Sequence, residues 1–200
     1  MLVPFTDLKK GGAVLDGMRW WNEPPEWRSE EGVLTVTTGD RADFWRETYY
    51  GFVRDDGHFY AAEVEGDFTV QVTFSGDYEE LYDQLGLMVR VDEANWVKAG
   101  VEYTDGVPHL SAVVTREVSD WSVVVPEDRG PEFTLRLTRR RDSVQVQYLD
   151  GAAWRMLRLG PLAPAERCRV GVMCCSPQRA GFRARFRDLT LTRRVPAEIH

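Results

Sequence analysis

Lys98 and Glu102 lie in the stretch Trp96-Val97-Lys98-Ala99-Gly100-Val101-Glu102, with Trp96 and Gly100 at the matching even positions. On a β-strand alternate residues share a face, so an indole, an ammonium, a gap and a carboxylate line up on one side. Glycoside hydrolysis needs two carboxyls flanking one bond, roughly 5–10 Å apart. This strand offers one. Asp43, Asp83 or Asp120 could bring a second acid from a loop, but nothing in their spacing places one there. A lyase would use Lys98 or His109 as base and Arg90 as the clamp on a uronic acid carboxylate. More simply, Lys98 and Glu102 form an ion pair along the strand.

Seven tryptophans give the chain a second kind of chemistry. Sugars present apolar C–H faces that stack on aromatic rings. Trp96 shares its face with Lys98, and Trp45 and Trp121 fall in segments expected to rim the same sheet. Trp27 and Trp154 are assigned to packing. His58 and His109 are too sparse in further ligands for zinc, and His109 reads as a hydrogen-bonded polar group beside Glu102. No phosphate loop, nucleophile elbow or dinucleotide fingerprint is present, so no cofactor and no metal are expected.

These residues need a sheet to hold them, and period-2 alternation dominates the chain. Strands are expected at 33–37, 67–74, 85–91, 96–104, 110–115, 133–139, 143–149, 154–159, 170–174 and 182–192. Short helices are expected only near 6–10 or 164–166. Asp105-Gly106 is a strong two-residue hairpin signal, which makes Thr104 and Val107 a flanking pair. Extending that register sets Glu102 against His109, Gly100 against Ser111, Lys98 against Val113 and Trp96 against Thr115. The opposite side carries Val97, Ala99, Val101, Leu110, Ala112 and Val114, a natural core. The same face rule threads the preceding strand, with Gln84 beside Glu102, Gly86 beside Gly100, Met88 beside Lys98 and Arg90 beside Trp96. The outer face then has a polar row of Gln84, Glu102 and His109, and an aromatic and cationic row of Arg90, Trp96 and Thr115. Glycines lie between them, where a ligand or another backbone approaches closely. The expected shape is a trough with a polar wall.

Composition narrows the classes of function. The 200 residues contain 43% hydrophobic and 12% aromatic side chains, enough for a substantial core. With no linker-like stretch, one β-sandwich domain is expected over 18–200, preceded by a lead-in over 1–17 that packs on it. A net charge of −7 disfavours nucleic acid. Arg183, Arg185 and Arg187, two apart, read as a solvated strand face. No apolar run reaches the ~20 residues of a membrane helix, and no signal peptide is recognised. Cys168, Cys174 and Cys175, odd in number and clustered, read as reduced cysteines of a cytoplasmic protein.

A set of motifs sharpens the fold. Trp20-Trp21-Asn22-Glu23-Pro24-Pro25-Glu26-Trp27, Asp43-Phe44-Trp45-Arg46-Glu47-Thr48 and Asp83-Gln84-Leu85-Gly86-Leu87-Met88-Val89-Arg90 occur in that order. The Trp96–Glu102 strand, Ser119-Asp120-Trp121-Ser122 and Ser176-Pro177 follow. Together, over about residues 18–193, they resemble a family of uncharacterised proteins, one fungal branch of which carries the name "regulation of enolase". The resemblance implies an all-β, concanavalin A-like jelly-roll sandwich of two antiparallel sheets, and no general activity. Glucanases of that fold commonly carry a Glu-x-Asp-x-Glu strand, which Trp96-x-Lys98-x-Gly100-x-Glu102 lacks. The expected function is therefore binding of a carbohydrate or small polar ligand by Trp45, Gln84, Arg90, Trp96, Lys98, Glu102, His109 and Trp121. A glycan-active hydrolase or lyase on the same face, or a regulator that grips a protein partner, are the alternatives.

Overall fold

The computed structural model describes residues 17–127 and 130–196. Strands β1 (Arg19–Trp21), β2 (Glu26–Glu30), β3 (Val33–Thr37), β4 (Phe44–Arg46) and β5 (Val53–Asp55) come first. Then follow β6 (His58–Glu65), β7 (Phe68–Gly76), β8 (Gln84–Arg90), β9 (Asn95–Thr104), β10 (Val107–Arg116) and β11 (Val118–Val124). The chain finishes through β12 (Phe133–Arg140), β13 (Ser143–Asp150), β14 (Ala153–Pro161), β15 (Arg167–Cys175) and β16 (Arg183–Thr192). The described residues contain no helix, and 164–166, expected to be helical, is irregular chain leading into β15. The lead-in and the other expected helix fall, apart from Gly17, outside the described residues.

Two antiparallel seven-stranded sheets face each other. The front sheet runs β1-β6-β15-β8-β9-β10-β11 and the back sheet β14-β13-β12-β7-β16-β3-β2. This is the concanavalin A-like jelly-roll sandwich. Inward residues such as Phe68, Val70, Val72 and Phe74 on β7 meet Leu85, Leu87 and Val89 on β8 and Val97, Ala99 and Val101 on β9. Each such large apolar side chain contributes about 1.5–3 kcal/mol by leaving water. Between them, outward Thr69 and Thr73 of β7 hydrogen-bond Thr138 and Thr134 across the back sheet, at 3.0 and 2.8 Å.

The hairpin register is the one the sequence dictates. β9 and β10 pair Glu102 with His109, Gly100 with Ser111, Lys98 with Val113 and Trp96 with Thr115. β8 and β9 pair Gln84 with Glu102, Gly86 with Gly100, Met88 with Lys98 and Arg90 with Trp96. Asp105 and Gly106 both take positive φ, 52° and 77°, as a turn matching the strand twist requires.

The open trough is corrected. A third element, the ribbon of β4 and β5, lies over one end of the front sheet's outer face. Phe44 from that ribbon packs with Trp96, Met88, Phe59, Met173 and Cys175 in a second apolar cluster. Trp96 points outward as expected, yet only 1% of it is exposed. Its ring centroid is 6.2 Å from that of Phe44. The glycines are also explained by backbone and not by a ligand. A Cβ at Gly86 would lie 2.2 Å from the Ala99 carbonyl oxygen, and one at Gly100 1.9 Å from that of Leu85.

Candidate functional site

The other end of the same outer face stays open. A cavity of about 280 Å³ sits over Gln84, Lys98 and Glu102, walled by the ribbon and its turn, by Tyr82, by Trp121 of β11 and by Pro177 and Gln178. Such a volume lies at the small end of ligand sites, suited to a single ring.

Its floor is polar and almost fully buried. Lys98 Nζ donates to the Phe44 carbonyl and to Gln84 Oε1, both at 2.7 Å, and to Asp43 Oδ1 at 3.5 Å. The expected Lys98–Glu102 ion pair does not form, because the ribbon offers the ammonium an acid and a carbonyl of its own. Asp43 is thereby placed in the cavity wall, where its Oδ1 also accepts the Phe44 amide at 2.8 Å. Glu102, 6% exposed, accepts a hydrogen bond from Ser111 Oγ at 3.0 Å. The Trp121 indole N–H donates to the same hydroxyl at 3.2 Å. Burial raises the Glu102 carboxyl above the usual carboxylate range, and Lys98 and Ser111 oppose that only in part.

Aromatic rings form the rim. Trp45 meets Tyr50 and Trp121 edge to face, with centroids 5.6 and 6.5 Å apart, and Tyr82 meets Trp121 at 6.2 Å. The Tyr50 and Tyr82 hydroxyls share a 2.9 Å hydrogen bond across the mouth. Tyr82 holds a left-handed φ of 68°, which a bulky side chain adopts only when its surroundings impose it. The surroundings are identifiable. The buried Asp83 carboxylate takes the Glu79 and Glu80 amides at 3.0 Å and Arg179 Nη2 at 2.7 Å. One side chain therefore locks both the loop that presents Tyr82 and the segment that carries Pro177 and Gln178.

Of the residues singled out from sequence, Trp45, Gln84, Lys98, Glu102 and Trp121 line this cavity. Arg90, Trp96 and His109 do not. Arg90 is buried in a bidentate ion pair with Asp55, through Nη1 to Oδ1 and through Nη2 to Oδ2 at 2.7 Å. It also lies 5.0 Å from the Trp21 ring. His109 turns Nδ1 to the Val107 carbonyl at 3.0 Å. Asp120 pairs with Arg158 at 2.6 Å, so of the three loop acids only Asp43 reaches the cavity. His58 is structural, with Nε2 accepting the Gly39 amide at 2.9 Å and Nδ1 bonded to the Asn22 carbonyl at 2.7 Å. Trp27 packs on Trp20 and Tyr60, and Trp154 under the Arg136 guanidinium. Sequence reasoning missed Tyr50, Phe52, Arg54, Tyr82 and Gln178; the one available signal was Tyr82 directly before Asp83-Gln84. Among the described residues no group of three or more His, Cys, Asp or Glu side chains could hold a metal.

Fold and site together define a jelly-roll sandwich with a small aromatic-rimmed polar pocket on the outer face of one sheet. The chain belongs to the family DUF1349, described as a protein of unknown function, which matches residues 20–194. It is 41% identical over 182 residues to "Regulation of enolase protein 1" of Saccharomyces cerevisiae, covering 90% of this chain and 92% of that one. A crystal structure of a functionally unknown S. cerevisiae protein superposes with a TM-score of 0.86 at 41% identity, over 90% of this chain and 98% of the other. The xylan beta-1,4-xylosidase of Bacillus halodurans shares the fold at 13% identity and a TM-score of 0.68. That match covers 95% of this chain and 40% of the enzyme. The family expected from the motifs is thus the family found.

Proposed function

We propose that this protein binds a carbohydrate, or a similarly small polar ligand, in the pocket above Gln84, Lys98 and Glu102. One observation carries the proposal: two carboxyl groups, Asp43 and Glu102, open into a single-ring-sized cavity whose rim is built from Trp45, Tyr50, Tyr82 and Trp121. Aromatic faces accept the C–H side of a sugar while carboxylates accept its hydroxyls. Isothermal titration against a panel of neutral monosaccharides tests it. Binding should be lost in Trp121→Ala and Trp45→Ala, and retained in Trp96→Phe, whose ring lies outside the cavity lining. Absence of binding across the panel, or binding that ignores both rim substitutions, would refute it.

The presence of Asp43 and Glu102 in one cavity lining also favours a second reading, a glycan-active enzyme with Glu102 as the proton donor. The lyase form has less support, because Arg90 is locked to Asp55 and the three Lys98 protons already have acceptors. Turnover of aryl glycosides that disappears in Glu102→Gln would establish the hydrolase. The name of the yeast relative supports a third reading, a regulator of a protein partner, in which the 94%-exposed Tyr49 at the ribbon's turn would be part of the contact. The three cysteines are free and buried, which supports the cytoplasmic location expected from sequence.

A further inference from the structure

We infer that the pocket is charge-selective: it admits sugars that are neutral or carry an amine, excludes those bearing a carboxylate or phosphate, and owes the exclusion chiefly to Glu102. This rests on the carbohydrate reading of the site.

An acidic sugar needs an available cation, and both cations here are already paired with an acid. Lys98 gives its ammonium protons to Phe44, Gln84 and Asp43. Arg54 is forked onto Asp56 at 3.2 and 2.8 Å and also donates to the Arg41 carbonyl. Among the described residues its Nη1 has no hydrogen-bond partner, on a charge that Asp56 already balances. The acids, in contrast, have capacity to spare. A carboxylate has about four acceptor sites. Among the described residues, Asp43 takes two donors through Oδ1 and none through Oδ2. Glu102 takes Ser111 Oγ, beside the Trp121 indole.

Spare acceptors call for hydroxyl or ammonium donors. A ligand anion would be desolvated against two carboxyls, facing only cations whose charge Asp43 and Asp56 already balance. The negative ring faces of the rim work in the same direction, as does the chain's net charge of −7. Because burial favours the neutral Glu102 carboxyl, exclusion should deepen as pH rises and that group ionises. The titratable groups facing Glu102 are Asp43, Lys98, Arg54, Tyr50 and Tyr82 around the cavity, and His109 opposite it on β10.

The test is titration, by calorimetry or tryptophan fluorescence, with matched sugars: D-glucose, D-glucuronate and D-glucosamine, then D-galactose, D-galacturonate and D-galactosamine. The uronates should bind at least about tenfold more weakly than their neutral parents, a difference of about 1.4 kcal/mol. The amines should bind as tightly or more so. The neutral-to-acid ratio should widen from pH 5 to pH 8 and narrow in Glu102→Gln. A uronate that matches its neutral parent, or a ratio unmoved by Glu102→Gln, overturns charge selectivity and leaves the carbohydrate reading standing. If no member of either series binds, both fall.

Discussion

The two ends of the front sheet's outer face are built on the same strands in the same register, and they do opposite things. At the Arg90–Trp96 end, Phe44 descends from the ribbon and fills the face, making a small second core and a covered ion pair with Asp55. At the Gln84–Glu102 end the ribbon turns away through Glu47, Tyr49 and Gly51, all at positive φ, and its aromatics become walls. Strand pattern decides which side of the sheet a residue faces. What lies over that side decides whether the residue becomes core or site.

Phe44→Ala should have the largest effect. It removes a fully buried ring from the closed end, at a cost of about 3–5 kcal/mol by urea denaturation. It should also extend the cavity toward Trp96, which the variant's crystal structure would reveal. A loss below about 1 kcal/mol would mean that the two ends are not as different as described. Asp55→Ala should come next, leaving Arg90 buried without its carboxylate. Breaking a buried pair costs about 3–5 kcal/mol, and the partly exposed Asp55 side chain places the expected loss at the lower end. Trp121→Ala, at the open end, should cost less than either, because its ring is 37% exposed; its effect should appear in ligand binding.

The smallest effects concern pH, and their signs differ between two buried groups. Glu102 has a folded-state pKa above its unfolded value because of burial. Its penalty is absent below the unfolded carboxyl range, near pH 4, and grows as pH rises through the folded value. Glu102→Gln should therefore gain stability relative to the parent at pH 8 and lose that advantage near pH 4. His58 has a folded-state pKa below 6.5, again through burial. Because the buried ring resists a proton that the unfolded chain takes up, stability falls as pH drops below about 6.5, so His58→Gln should flatten the stability profile between pH 5 and 7. Denaturation midpoints across pH 4–8 check both slopes.

Much of the fold was legible in the sequence, for physical reasons. Asp105-Gly106 pinned one hairpin, and the demand that Leu85, Leu87 and Val89 be buried fixed the neighbouring strand to the residue. His58–Glu65 was not recognised as a strand because both of its faces are largely covered, so it lacks alternation. The site was half legible. Gln84, Lys98 and Glu102 followed from register, whereas Trp96 and Arg90 were read as open because nothing in the pattern shows that a three-residue strand, Phe44–Arg46, folds back over them. Asp43 entered the pocket by the same route, through tertiary placement of a loop.

The most direct test of the central claim is a crystal structure grown with the neutral sugar that raises the thermal midpoint most. Density for one sugar ring should lie in the cavity above Gln84 and Glu102, against the rim formed by Trp45 and Trp121, with hydroxyls on Asp43 and Glu102, and the Phe44–Trp96 end should be unchanged. Sugar bound elsewhere on the molecule, with the cavity above Glu102 holding only solvent, would contradict the account.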